Sequence, residues 1–304
     1  MSGLIRWYGK AMRAEIEKAV QLLREGGDAS IGQALELLQN TVFSFSMRVC
    51  GHRQDAEDTM QEVLLKSVPQ LPKFDSPRGL VVWLYKVAKS RCLMNRRKSK
   101  FAPAHNLSLE ELMPDRKELE QLSTDGRVNP EAFAIRSEQA SRLRDAVQRL
   151  PPQYRIVVVL RDMEGLTDDE VAEITGVRVG TVRVRLHRAR LFVRKELMRA
   201  WMAGNGRKGR EPQRKQLPRP TRCRAMFAEL SNYLDEQLDD SLCAELERHM
   251  DGCGPCQVFV ATLQATIEQC RKSGLESPAP STAKLRLELM QRYQQARAVL
   301  KAKS

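Results

Sequence analysis

Missing from this sequence is any apolar run approaching the ~20 residues that cross a bilayer. No membrane span is expected. The N-terminal stretch MSGLIRWYGKAMRAEIEKAV carries charges every few positions, where a secretory signal needs an apolar centre, so the chain is expected in the cytoplasm. Period-2 alternation and β-branched clusters are scarce outside Ile156 to Leu160, and that stretch lies within a longer amphipathic pattern from Tyr154 to Asp162. The expected fold class is therefore all-α. Four histidines stand scattered at 52, 105, 187 and 249, with no phosphate-cradling glycine loop and no nucleophile-base arrangement, so enzyme classes other than a cysteine-based oxidoreductase have no foothold. Seven cysteines, an odd number in a reducing compartment, argue against a disulfide framework and for metal or redox chemistry.

What is abundant is positive charge. A net charge of +13 points to a polyanionic partner, and 304 residues call for two or three small domains. Punctuation divides the chain into an N-terminal helical extension (1–30), a helical domain (31–100), a linker (101–130), a second helical domain (131–201) and a basic tether (202–222). An acidic domain (223–272) and a C-terminal amphipathic helix (282–303) follow, the latter with Leu285, Leu289, Ala296 and Leu300 near one face. From Lys86 to Lys100 there are seven Lys or Arg and no acid, whereas Cys223 to Cys270 holds nine acids against two bases. Opposite charges on one tethered chain invite intramolecular docking.

The sharpest local pattern is LTDDEVAEITGVRVGTVRVRLHRARLFVRKEL from Leu166. Thr167 followed by Glu170 is a capping box, Val171 and Ile174 give the helix an inward face, and Gly176 breaks it. A second helix begins near Val179, with Val182, Leu186, Ala189 and Val193 as its buried seam. On a 3.6-residue wheel Arg183, Val184, His187, Arg188 and Arg190 project away from that seam, with Arg178 and Thr181 at the helix entrance. This is a helix-turn-helix suited to a DNA major groove: guanidinium forks bond guanine edges or phosphates, and Val184 can touch a thymine methyl. Eight bases against one acid between Arg178 and Arg199 favour DNA over a merely solvated basic face.

In the first domain, DAEDTMQEVLLKSV from Asp55 reads as a helix with Ala56, Met60, Val63 and Leu64 inward and Asp58, Gln61, Glu62 and Lys66 outward. Beyond it, WLYKVAKSRCLMNRRK interleaves Trp83 and Tyr85 with cations, a combination that holds unpaired bases, although a buried core role fits Trp83 equally. With GTVRVRLHRAR, these motifs resemble, in order and spacing, bacterial sigma factors of the extracytoplasmic-function group, over about residues 31–100 and 130–200. The resemblance implies a first domain that binds the RNA polymerase clamp and melts the −10 element, and a helix-turn-helix that reads the −35 element. By position it places Asp58, Gln61, Glu62 and Lys66 on the polymerase-contact surface. It places Trp83, Lys86, Lys89 and Arg91 toward the separating strands, and Arg178, Thr181, Arg183, Val184, His187, Arg188 and Arg190 at the −35 duplex. Core RNA polymerase and promoter DNA are the implied partners. Ser90 and Met94 stand where the family pattern usually has Asn and Asp, and Val184 where it usually has Ser.

In the acidic block His249, Cys253 and Cys256 form H-x3-C-x2-C, with Cys223 twenty-six positions before the histidine. On a helix His249 and Cys253 lie one turn apart, and Gly252, Gly254 and Pro255 bring Cys256 back, so that with Cys223 a closed tetrahedral Zn2+ site is expected. Cys-Gly-Pro-Cys is also the tetrapeptide of thioredoxin-like oxidoreductases, but an acidic helix precedes it here rather than a strand. The stretch resembles the zinc-binding anti-sigma domain, with Cys223, YLDEQLDD from Tyr233 and His249 to Cys256 in the family's order. That likeness implies a module that docks on the sigma domains and modulates them in cis. Cys50, Cys92, Cys243 and Cys270 read as small buried hydrophobes. The alternatives are a stand-alone metal- or redox-responsive helix-turn-helix regulator and, on the Cys-Gly-Pro-Cys motif, a thioredoxin-like enzyme.

Overall fold

A computed structural model of the protein describes residues 8–74, 76–97, 106–114, 139–204, 221–273 and 282–302; of these, side chains are not described for 8–13, 95–97, 139–140, 201–204, 221–226, 300 and 301. The described residues are helical throughout, with no strand among them. They fall into two compact units. One gathers residues 1–103, 159–179 and 274–304, and the other 104–158 and 180–273.

The first unit is built on α1 (Tyr8–Glu25), α2 (Asp28–Cys50), α3 (Arg53–Ser67), a 3-10 turn (Val68–Lys73) and α4 (Pro77–Arg97). The apolar period of α3 buries Ala56, Met60, Val63 and Leu64 completely, where α3 packs on α2 and α4. Gly51, with φ 83° and its N–H on the Met47 carbonyl, ends α2 in a left-handed turn that a residue with a Cβ resists. Tyr85 is a core residue here: its ring meets Phe45 edge-on at 4.9 Å, and its hydroxyl donates to Glu164 at 2.7 Å. That carboxylate also accepts from Arg48 at 2.6 Å. Burial, and then the Glu164 charge, push the Tyr85 pKa well above its ordinary value.

Glu164 follows a π turn (Val159–Met163), where the Glu164 N–H reaches the Val159 carbonyl five residues back. Helix α8 (Asp168–Thr175) packs on α4. The last helix of the chain, α13 (Ala283–Lys301), lies along the 3-10 turn and α2 and also touches α3. Leu285, Leu289 and Tyr293 form its buried stripe, Ala296 is half-buried, and Leu300 lies outside the described side chains. The Tyr293 hydroxyl donates to the Leu23 carbonyl and Arg297 to the Gly26 carbonyl.

The second unit comprises α5 (Leu109–Leu112), α6 (Gln139–Arg149), α7 (Pro152–Val158), α9 (Val179–Gly204), α10 (Thr221–Leu234), α11 (Asp240–Asp251) and α12 (Gly254–Lys272). Its core joins Leu191 of α9 to Phe227 and Leu230 of α10, Leu246 of α11, and Phe259 and Leu263 of α12. Residues 106–114, expected within a linker, add Leu112 and Met113 to that core, and the Glu111 carbonyl accepts from Lys195. The remainder of the expected linker, 101–105 and 115–130, and most of the tether, 205–220, lie outside the described residues.

Candidate nucleic-acid interface and metal centre

Helix α8 begins as the sequence pattern requires. The Thr167 hydroxyl accepts from the Glu170 N–H at 3.3 Å, and the Glu170 carboxylate accepts from the Thr167 N–H at 2.9 Å. Gly176 closes it at φ 74°. Helix α9 then carries the expected DNA-facing residues, and its inward seam of Val182, Leu186, Ala189 and Val193 is buried. Arg178, Arg183 and Val184 are exposed, Val184 at 51 %, and Thr181 and Arg188 are half-buried.

His187 and Arg190 depart from the expected outward orientation. They are 7 % and 1 % exposed, because α10 and α12 cover that side of α9. The Arg190 guanidinium donates two hydrogen bonds to the Asp235 carboxylate, at 2.6 and 3.0 Å, and Asp235 also pairs with Arg271 at 3.4 Å. His187 Nδ1 and the Ser231 hydroxyl are 2.8 Å apart. Desolvation, reinforced by Arg190 and Arg188, lowers the His187 pKa to about 4, which keeps the ring neutral at neutral pH. One turn further on, Arg194 donates to Thr262 at 2.8 Å and stacks over the Phe259 ring at 3.7 Å. The partners Ser231, Asp235, Phe259 and Thr262 were not among the sequence-derived candidates. The signal for one of them, Ser231, lay in the stripe Phe227, Leu230, Ser231, Leu234, whose i, i+3, i+4, i+7 spacing marks a helix face with a partner.

In the first unit the four candidates on α4 sit in different surroundings. Trp83 is half-buried with its ring 5.6 Å from Phe74, and Lys86 is exposed beside it. Lys89 is half-buried and donates to the Ile174 carbonyl at 2.7 Å; burial, with Lys86 next in size, lowers its pKa. Arg91 pairs with Glu62 of α3. Glu62, expected on a polymerase-contact surface, is thus half-buried and shared between Arg91 and Lys66, the latter at 2.7 Å. Asp58, Gln61 and Lys66 are exposed on α3.

The metal candidates converge at the junction of two helices. His249 stands in the last turn of α11, Cys253 is the residue that precedes α12, and Gly254 and Pro255 open α12 so that Cys256 falls in its first turn. Cys253 is therefore not on the same helix as His249, and the bend between the helices does the gathering. The donor atoms of His249, Cys253 and Cys256 all lie within 4.8 Å of one another, with Cys256 Sγ 3.5 Å from His249 Nε2. That separation matches the edge of about 3.6 Å that a tetrahedron built from ordinary Zn–S and Zn–N bonds has. Two thiols and an imidazole form a soft, borderline donor set of the kind that suits zinc, and the N-terminal end of the α12 dipole favours the negative charge metal-bound thiolates carry. Cys223 lies in the first turn of α10, and its side chain falls outside the described residues. Cys92 and Cys270 are buried as expected, whereas Cys50 and Cys243 are partly exposed.

Comparison with known proteins matches residues 35–101 to Sigma-70 region 2, residues 140–193 to Sigma-70 region 4, and residues 223–257 to a putative zinc-finger family. Among curated relatives, the ECF RNA polymerase sigma factor SigW of Bacillus subtilis is 28 % identical over 187 residues, covering 61 % of this chain and 98 % of SigW. The RNA polymerase sigma-H factor of Pseudomonas aeruginosa is 25 % identical, covering 60 % of this chain and 93 % of its own length. The ECF RNA polymerase sigma factor SigE of Mycolicibacterium smegmatis is 31 % identical, over 50 % of this chain and 56 % of its own length.

Proposed function

The chain belongs to the extracytoplasmic-function sigma factors of the sigma-70 superfamily, and we propose that it directs core RNA polymerase to promoters under restraint from its own zinc-binding, anti-sigma-like module. In this reading residues 31–100 bind polymerase and the −10 element, residues 131–201 read the −35 element, residues 223–272 fold around Zn2+ and modulate both, and the protein acts in the cytoplasm. It is a transcription factor without catalysis of its own.

The observation that carries the restraint is the Arg190–Asp235 pair, both members nearly sealed from solvent at 1 % and 4 %. A cation offered to phosphate cannot at the same time hold a buried carboxylate, so engagement of α9 with DNA through His187 and Arg190 requires α10 and α12 to move aside. The exposed set at the start of α9, Arg178, Arg183 and Val184, with half-buried Thr181 and Arg188, makes first contact with the duplex. On α4, Trp83 and Lys86 face the melted strand, and Lys89 and Arg91 join them once released from Ile174 and Glu62. Asp58, Gln61, Glu62 and Lys66 supply the polymerase-facing side of α3.

Zinc, held by His249, Cys253, Cys256 and Cys223, would act as a structural staple that fixes α11 against α12 and thereby shapes the surface facing α9. The proposal is tested by incubating the purified protein with core polymerase on a library of genomic upstream fragments and sequencing the transcripts. Discrete start sites dependent on the protein are expected; absence of both polymerase binding and promoter-specific product, with or without the zinc module, would overturn the reading.

A further inference from the structure

We infer that Cys50 and Cys92 form a dithiol modification site, which a hydroperoxide converts into an intramolecular disulfide joining α2 to α4. The two sulfurs, 42 residues apart in sequence, lie 2.8 Å from one another. A closure of about 0.8 Å reaches the ~2.05 Å of a disulfide, a distance within side-chain rotation on two helices already packed together. Neither sulfur is in a disulfide, and they differ in access: Cys50 ends α2 and is partly exposed, whereas Cys92 lies within α4 and is buried. The surroundings are polar as well as enclosed. The buried Ser46 and Thr59 hydroxyls act on the Cys92 thiol, opposing the upward push that Cys50 and burial exert on its pKa.

This asymmetry sets an order of events. The Cys50 sulfur, as thiolate, attacks the distal peroxide oxygen; the O–O bond breaks, and the other oxygen leaves as an alcohol, or as water when the oxidant is hydrogen peroxide. Cys50 is then a sulfenic acid. The Cys92 sulfur attacks it, the S–O bond breaks, and water departs with the Cys92 proton. Two thiols and one hydroperoxide thus give one disulfide, one alcohol and one water, each sulfur losing one electron. A dithiol reductant reverses the change by exchange. The cross-link closes a loop of 42 residues, which constrains the unfolded chain and makes the oxidised unit harder to unfold. Nothing in this chemistry depends on promoter recognition or on the metal cysteines, which belong to the other unit.

The test uses the full chain, treated with a small excess of hydrogen peroxide, blocked with N-ethylmaleimide and digested with trypsin. Peptides 49–53 and 92–96 are expected as a linked pair, about 2 Da lighter than the two thiol peptides together, and to separate on dithiothreitol treatment. The oxidised protein should melt at a higher temperature than the reduced one, and Cys50→Ala should lose both the linked pair and the shift. Cys92→Ala should instead accumulate a sulfenic acid on Cys50 that dimedone labels. Recovery of both residues fully alkylated while other cysteines have oxidised, or linkage of Cys50 to a different cysteine, would overturn the inference.

Discussion

At the scale of single residues, the contacts of α9 are unusual in being both charged and dry. A bidentate Arg–carboxylate pair out of water holds only while both partners remain, because removal of one leaves the other buried and unpaired. Asp235→Ala is therefore expected to lower the stability of the second unit by about 3–5 kcal/mol, measured by urea unfolding of the full chain. A change below about 1 kcal/mol would mean that Arg190 reaches water by another route. His187 adds a pH dependence. Its pKa is held near 4 in the folded chain against an ordinary 6.5, so the folded state tolerates only the neutral ring. The stability this gives is complete above about pH 6.5 and is lost as pH falls from there toward 4, amounting to about 3 kcal/mol. His187→Gln should flatten that part of the stability-versus-pH curve. An unchanged slope in the variant would contradict the burial argument.

At the scale of elements, the metal junction and the C-terminal helix make separable predictions. Metal analysis of protein purified without chelator should give about one zinc per chain, and Cys256→Ser should lose it, because a closed structural site tolerates no missing ligand. Loss of the metal should also raise amide exchange in α11 and the start of α12; unaltered exchange would show that the junction folds without it. Helix α13 is held by Leu289, fully buried, and by Tyr293. Leu289→Ala is expected to cost about 2–5 kcal/mol or to release the helix outright, which limited trypsin digestion at Arg292 and Arg297 would reveal as early cleavage.

Much of this was legible in the sequence, for reasons that also explain what was not. The inward set of α3, the Thr167–Glu170 capping box and the gathering of His249, Cys253 and Cys256 follow from local period and spacing. The covered side of α9 did not, because cations on the polar side of a helix look the same in sequence whether water, phosphate or a carboxylate faces them. Only the placement of Asp235, in the turn after α10 and 45 residues from Arg190, decides between those. Tyr85 misled for the same reason: an aromatic between cations reads as a stacking platform until Glu164 and Phe45 are seen to enclose it. The acid-base alternation between blocks did not say which residues would meet.

At the scale of the whole molecule, a basic pair of domains that match Sigma-70 regions 2 and 4 and an acidic module that matches a putative zinc-finger family share one chain of net charge +13. The central claim is that the module restrains the factor it is fused to. The most direct measurement is run-off transcription with core polymerase on a promoter taken from the fragment library, comparing the full chain with a truncation ending at Gly204. The account predicts that both initiate at the same site and that the truncated protein is about tenfold more active or better, the change that ~1.4 kcal/mol of lifted restraint produces. Equal activity from the two proteins, with the full chain confirmed to hold its zinc, would contradict it.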